Sequence, residues 1–179
     1  AFPGIWGRAK DFYSINVYGT RNVIKACILG GVQKLIFTSS PSVIFGKSSL
    51  KEVDETTPYP KNYLCEYSRT KAIAEKLVIK ANCVDLATVS IRPHLIWGPG
   101  DPNLVPRILA KADKGRLIRV GMGKNKVDII YIDNAVSAHL KACDALEIGN
   151  PLSGKVYFVS DGEPVKLWDW INVLLIKTG

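Results

Sequence analysis

The sequence has no apolar run approaching the ~20 residues a helix needs to cross a bilayer, so a helical membrane span is excluded. It has no initiating Met, and its first residues, Ala-Phe-Pro-Gly-Ile-Trp-Gly, are not a charged segment leading into an apolar one. No signal peptide is therefore visible. Its four cysteines, Cys27, Cys65, Cys83 and Cys143, show neither Cys-x-x-Cys spacing nor a nearby His, which argues against a zinc site. They read as scattered, buried, reduced thiols of a cytoplasmic protein. Internal repeats and low-complexity segments are absent too.

What is present is a 179-residue chain with a net charge of +8 and the apolar and charged fractions of a soluble globular protein. That length allows one domain with a real core but not two large ones. The positive charge is densest at Arg107, Lys111, Lys114, Arg116, Arg119, Lys124 and Lys126. No aromatic residue interleaves with these to stack on bases, which argues against nucleic acid as a partner. Arg107, Lys111 and Lys114 recur at helical spacing beside Leu104, Ile108 and Leu109, as on the wet face of an amphipathic helix. A subsite for an anionic small molecule is the alternative.

Along the chain, Phe12, Ile15, Val23, Ile24 and Ala26-Cys27 predict a helix over 10–29, stopped by Gly30-Gly31. Lys34-Leu-Ile-Phe-Thr-Ser-Ser40 predicts a strand buried on both faces of a parallel sheet, and a loop follows to Pro60. A helix runs from Glu66 to about Ala81, then a second buried strand from Leu86 to Arg92, closed by Pro93. This alternation is the α/β pattern, with right-handed crossovers. The turn formers Gly98-Pro99-Gly100-Asp101-Pro102 mark a boundary. Beyond it the pattern predicts a helix near 103–114, a short strand near 117–120 and a strand over 127–132. A helix at 134–146 capped by Asp133-Asn134, a strand over 155–160 and a last helix over 167–176 complete it. Gly121-x-Gly123 has Lys126 where a phosphate loop needs its third glycine, so it reads as a turn.

Tyr67 and Lys71 stand four residues apart, on one helix face and about 6 Å apart at Cβ. A phenol with a pKa near 10 is a weak acid–base catalyst at neutral pH. A nearby ammonium favours the phenolate by roughly 1–3 pK units, bringing it towards proton exchange with a carbinol or carbonyl oxygen. The alternative is an ordinary surface pair on an amphipathic helix. Context favours a site, because ligands of open α/β sheets sit at the carboxyl ends of strands. Ser39-Ser40 and Arg92–Gly98 occupy such ends, although the serines could equally bond the backbone there. His94 and His139 read as structural, and Trp97 as packing or a pocket wall.

Five segments resemble, in order and spacing, the extended short-chain dehydrogenase/reductases, in particular the 3β-hydroxysteroid dehydrogenase/isomerase branch that includes sterol-4α-carboxylate 3-dehydrogenases. They are Asn16-Val-Tyr-Gly-Thr-Arg-Asn22-Val, Phe37-Thr-Ser-Ser40-Pro-Ser-Val, Tyr67-Ser-Arg-Thr-Lys71, Arg92-Pro-His-Leu-Ile-Trp-Gly-Pro-Gly100 and Tyr131-Ile-Asp-Asn-Ala. The resemblance implies the C-terminal half of a Rossmann-type parallel sheet plus part of a small substrate-binding lobe. Residues 1–97, with 155–161 returning to the sheet, would be the dinucleotide-binding core, and 98–154 with 162–179 the lobe. Tyr67 would be the general acid/base, with Lys71 lowering its pKa and bonding the nicotinamide ribose. Ser40 would hold the substrate oxygen, and Asn16 would support the helix and a proton relay. Ser39, Pro93, His94 and Leu95 would join Tyr67 and Lys71 in lining the cofactor site.

The implied cofactor is NAD or NADP, with NAD favoured, and the implied substrate a small apolar alcohol or ketone. That substrate class covers 3β-hydroxysteroid-like compounds, including 4-carboxysterols, and 2-alkyl-3-keto acids. A homodimer is compatible with the resemblance. Sugar-nucleotide epimerases and dehydratases share the core and are the enzymatic alternative; an inactive fragment keeping only the fold is the other. The family's glycine-rich pyrophosphate loop and the acidic residue about 20 positions later do not occur before residue 10, so the sequence reads as truncated at both ends. On that reading strand 34–40 lacks a partner and exposes an apolar edge. The 179-residue chain is then expected to self-associate through that edge and to show no saturable NAD(H) binding. Light scattering and fluorescence titration check this, against a monomer or micromolar binding.

Overall fold

The computed structural model describes residues 1–47, 50–119 and 121–178. In chain order the elements are α1 (Ala9–Phe12), a π-helical turn (Tyr13–Tyr18), α2 (Gly19–Leu29), β1 (Lys34–Thr38), a 3₁₀ turn (Pro41–Ile44), α3 (Glu66–Lys80), β2 (Ala87–Pro93) and β3 (Leu95–Trp97). There follow α4 (Leu104–Asp113), β4 (Lys126–Val127), β5 (Ile129–Tyr131), α5 (Ile132–Ala145), β6 (Lys155–Val159), β7 (Val165–Lys166) and α6 (Leu167–Thr178). Two compact units emerge, 1–93 with 138–158 and 94–137 with 159–179, and the division falls within α5. The sequence put the boundary at the Gly98 turn; the first unit instead closes after Pro93, because the backbone of 95–97 pairs with 129–131.

In the first unit a three-stranded sheet has the order β1-β2-β6. β1 and β2 are parallel, in a register that sets Phe37 beside Ser90 and Thr38 beside Ile91. β2 is buried along its whole length. β1 is only half-buried, contrary to the expectation from its apolar run, because it ends the sheet and bonds a neighbour on one side only. At the opposite end the Phe158 N–H of β6 donates to the Glu55 carboxylate at 2.8 Å, so a loop side chain occupies that ladder position.

The helix expected over 10–29 runs from 9 to 29, but its packing sits in the first half. Phe12, Asn16 and Val17 are buried, whereas Val23, Ile28 and Leu29 of α2 are exposed. Helix α3 turns Ser68, Lys71, Ala72, Glu75 and Val78 inward, positions recurring at the helical period. Ala72 packs with Val43, Ile44, Tyr59, Tyr63 and Phe158. At the far end of α3 the Thr88 hydroxyl donates to the Val78 carbonyl, and Asn82 Oδ1 accepts from Thr88 N–H and the Ser153 hydroxyl.

Between these ends lies a buried ion pair. Arg92 of β2 donates from Nη2 and Nε to the two oxygens of Glu75 at 2.7 and 3.0 Å. The Tyr59 hydroxyl donates to the same carboxylate at 2.6 Å. The guanidinium also lies over the rings of Phe158 and Tyr59. Burial works against the charge on Arg92, yet its bonds to Glu75 raise its pKa above the ordinary value. Both side chains are out of water, at 1% and 0% exposure.

In the second unit β3 and β5 are parallel, and β4 pairs antiparallel with β7. β3 and β7 were not foreseen, and residues 117–119 form no strand; Val120 lies outside the described residues. Helix α5 starts at Ile132, so Asp133 and Asn134 sit inside its first turn rather than capping it. Asn134 instead donates to Asp161, which also accepts the Tyr131 N–H. Gly98 has φ +140°, and a Cβ there would fall 2.7 Å from Ile132 Cγ2, so the turn after Trp97 requires glycine. Among the described residues no helix is long and apolar enough to cross a membrane.

Arg92→Met leaves Glu75 buried without its counter-ion and is expected to cost about 3–5 kcal/mol in denaturant melts. Replacing both residues by Met is expected to cost less, because the carboxylate and the guanidinium leave together.

Candidate active site

The first turns of α3 and the chain leaving β1 bring Tyr67, Lys71 and Ser40 into one neighbourhood. Ser40 is the extended residue before the 3₁₀ turn; its hydroxyl accepts the Ser42 N–H at 3.2 Å and pairs with the Ser42 hydroxyl at 2.9 Å. Pro41, with no N–H to satisfy, opens that turn and fixes the serine at the strand end. The half-buried Tyr67 phenol lies near enough to Ser40 for that hydroxyl to favour its phenolate. Burial raises the Tyr67 pKa, and the Ser40 hydroxyl opposes that rise. The expected lowering by Lys71 is not what sets this phenol.

The reason lies in where Lys71 goes. Its ammonium donates to the Thr38 carbonyl at 2.6 Å, at the end of β1, and lies 4.1 Å from the centre of the Phe37 ring. With 3% of the residue exposed, burial pulls its pKa down to about 8, and Glu75 one turn further along α3 works in the opposite direction. On the other face of β1 the Thr38 hydroxyl meets His139 Nε2 at 2.9 Å.

Asn16 is buried in the π-helical turn, a local widening that is common at functional sites. Its Nδ2 donates to the Thr70 hydroxyl at 3.0 Å and to the Phe2 carbonyl at 3.2 Å, and its Oδ1 accepts the Phe2 N–H at 2.6 Å. Asn16 thus ties helix α3 and the N-terminal segment together one residue away from Lys71. The buried Ser39 donates its N–H to the Ile91 carbonyl at 2.7 Å, while its hydroxyl has no partner among the described residues. Pro93 is the buried last residue of β2.

His94 and Leu95 belong to the second unit. The His94 N–H donates to the Val159 carbonyl at 2.9 Å; burial lowers the pKa of its ring, against an opposing pull from Asp128. Leu95 opens β3 and helps line a cavity of about 360 Å³ with Trp97, Gly98, Pro99, Asp101 and Ile132. Trp97 packs edge-on against Tyr131 and Trp170. Among the described residues no group of His, Cys, Asp and Glu side chains could hold a metal ion.

Residues 6–179 match the 3-beta hydroxysteroid dehydrogenase/isomerase family. The chain belongs to that family. It is 48% identical to a 2-alkyl-3-oxoalkanoate reductase of Stenotrophomonas maltophilia, over 100% of this chain and 55% of the relative. It is 40% identical to the bovine sterol-4-alpha-carboxylate 3-dehydrogenase, decarboxylating, over 98% of this chain and 50% of that protein. The chain therefore spans about half the length of the curated relatives it matches. Among solved structures it resembles a UDP-glucuronic acid 4-epimerase from Bacillus cereus, with TM-score 0.80 and 24% identity over 100% of this chain and 57% of that one. MoeE5 gives TM-score 0.79 and 23% identity over 100% and 60%. These last two likenesses establish the α/β fold with its parallel sheet.

Tyr59, Glu75 and Arg92 were not singled out from the sequence. Their signals were Lys71-x-x-x-Glu75, which continues the Tyr67 face, and an arginine inside an otherwise uncharged buried strand.

The lysine also gives a pH prediction. Its folded-state pKa lies below the ordinary 10.5, so between about pH 8 and 10.5 the unfolded chain binds the extra proton. Stability from this group is absent below pH 8 and grows as pH rises through that window. Relative to Lys71→Met, the wild-type chain is expected to gain on the order of 2 kcal/mol between about pH 8 and 10 in denaturant melts. A flat difference contradicts a desolvated ammonium.

Proposed function

We propose that this chain carries the acid–base half of an NAD(P)-dependent oxidoreductase that interconverts a secondary alcohol and a ketone. The substrate is bulky and apolar, a 3β-hydroxysteroid-like compound or a 2-alkyl-3-keto acid. The supporting observation is the buried Lys71 ammonium donating to the Thr38 carbonyl at 2.6 Å, two residues before Ser40 and one helical turn beyond Tyr67. Relatives named as a 2-alkyl-3-oxoalkanoate reductase and a sterol-4-alpha-carboxylate 3-dehydrogenase support the substrate class. Sugar-nucleotide chemistry is favoured only by fold-level likeness, which is a weaker warrant.

In this reading Ser40 donates a hydrogen bond to the substrate oxygen, and Tyr67 gives or takes the proton on that oxygen. When bound, the nicotinamide cofactor supplies the hydride. The chain's residues fit such a group in one respect: the Lys71 ammonium has three donors, and the Thr38 carbonyl takes one, so ribose hydroxyls suit the others. Asn16 fixes the helix register through Thr70. Residues 1–93 are assigned to the dinucleotide-binding core, with Ser39 and Pro93 at its strand ends. Within the second unit, the Leu95–Leu104 cavity, which Leu95 lines and His94 precedes in the chain, is assigned to ligand binding. NAD is the favoured cofactor, in keeping with the NAD held by MoeE5.

We assign the protein to the cytoplasm, which suits four cysteines that form no disulfide. A homodimer is assigned to the face where exposed Ile28 and Leu29 join Ile24 and Leu77 around an apolar groove.

In the protein that carries this chain, Tyr67→Phe keeps the ring's packing and removes the proton. Turnover of a 2-alkyl-3-keto acid is expected to fall by about 10²–10⁴-fold with an unchanged melting temperature. Near-normal turnover refutes the assignment.

A further inference from the structure

Tyr67, Lys71 and Glu75 recur every four residues, so they form a row along the inner face of α3. At the end of this row Arg92 reaches in from β2, and three charges alternate in sign with Glu75 in the middle. Glu75 is the only anion in the row, and with 0% exposure it has no water to screen it. We propose that Glu75 is a positioning residue whose charge keeps Lys71 protonated and its ammonium aimed at the end of β1. This rests on the reading of Lys71 as the cation that bonds the cofactor.

The surroundings leave that task to Glu75. From β1, Lys71 meets the Thr38 carbonyl and the Phe37 ring, which carry no net charge. From β2 comes Arg92, a like charge whose guanidinium is taken up by Glu75. From α3 and the preceding loop come Tyr67, Tyr59, Tyr63 and Cys65, of which the three tyrosines all have raised pKa values and stay neutral. His139 bonds the Thr38 hydroxyl on the opposite face of β1. Burial itself pulls Lys71 towards its neutral form, and Glu75 is the group that opposes it. The bidentate grip of Arg92 and the Tyr59 hydroxyl hold the carboxylate still, so one anion serves two buried cations. A deprotonated Lys71 would lose part of its donor capacity.

The test follows Lys71 directly, by the ¹³C resonance of ε-labelled lysine, with the signal assigned by its loss in Lys71→Met. In Glu75→Gln the Lys71 titration is expected to fall by about one pH unit or more. The alkaline limb of the turnover profile is expected to move down with it. Because Glu75→Gln strands Arg92 and can unfold the chain, Glu75→Gln/Arg92→Met is measured beside it. That double variant leaves no stranded guanidinium, and its Lys71 titration is also expected to fall. Val78→Ala, a buried cavity on the same helix, controls for lost stability and is expected to leave the titration in place. An unmoved Lys71 in the two Glu75 variants, or an equal shift in Val78→Ala, overturns the proposal. A shifted titration in a protein that reduces no keto acid retires the oxidoreductase reading and leaves the role of Glu75 standing.

Discussion

The buried pair between Glu75 and Arg92 is the constraint on which the first unit depends. It joins α3 to the carboxyl end of β2, which is buried throughout. Removing either partner leaves a charge out of water and without its bidentate partner, which is far more costly than losing an exposed ion pair. Two closely fitted hydrogen bonds also specify direction, so the helix is held in rotation as well as in height. Apolar packing around Ala72, Val43 and Ile44 supplies most of the attraction but would tolerate small slips.

That fixed rotation is what places chemistry at the end of β1. Tyr67 and Lys71 lie two turns and one turn before Glu75 on the same face, so the angle that satisfies Arg92 also turns the phenol towards Ser40 and the ammonium to Thr38. The Pro41 turn holds Ser40 in place, and the Asn16–Thr70 bond braces the helix from its other side. The Asn16–Thr70 bond has donor and acceptor both buried, where a missing partner costs about 1–3 kcal/mol. Rigid support of this kind is what a proton-transfer geometry requires.

The larger elements were legible because their signals are local. The helix at 9–29, the strands at 34–38 and 87–93, and helix α3 follow from period and from Gly and Pro stops. The Tyr67–Lys71 pair was legible for the same reason, as an i to i+4 spacing. What escaped depends on distant partners. β3 and β7 are three and two residues long and exist only because β5 and β4 pair with them. The π-helical turn leaves no mark in a hydrophobic pattern, and the half-exposed state of β1 depends on which strands flank it. Helix α5 begins two residues before its expected start, because Asn134 bonds Asp161 instead of capping. The direction of the Tyr67 shift was misjudged because the sequence gives the spacing to Lys71 but not the Thr38 carbonyl that takes its ammonium.

The central claim is that Ser40, Tyr67 and Lys71 serve hydride transfer to a ketone carbon. The most direct measurement supplies the whole protein with NADH or NADPH deuterated at the transferable C4 position and a 2-alkyl-3-keto acid, and reads the product by mass spectrometry. The account predicts one deuterium on the new carbinol carbon, with label transfer lost in Tyr67→Phe. An unlabelled product, or label-free turnover of a sugar nucleotide in place of the keto acid, would contradict it.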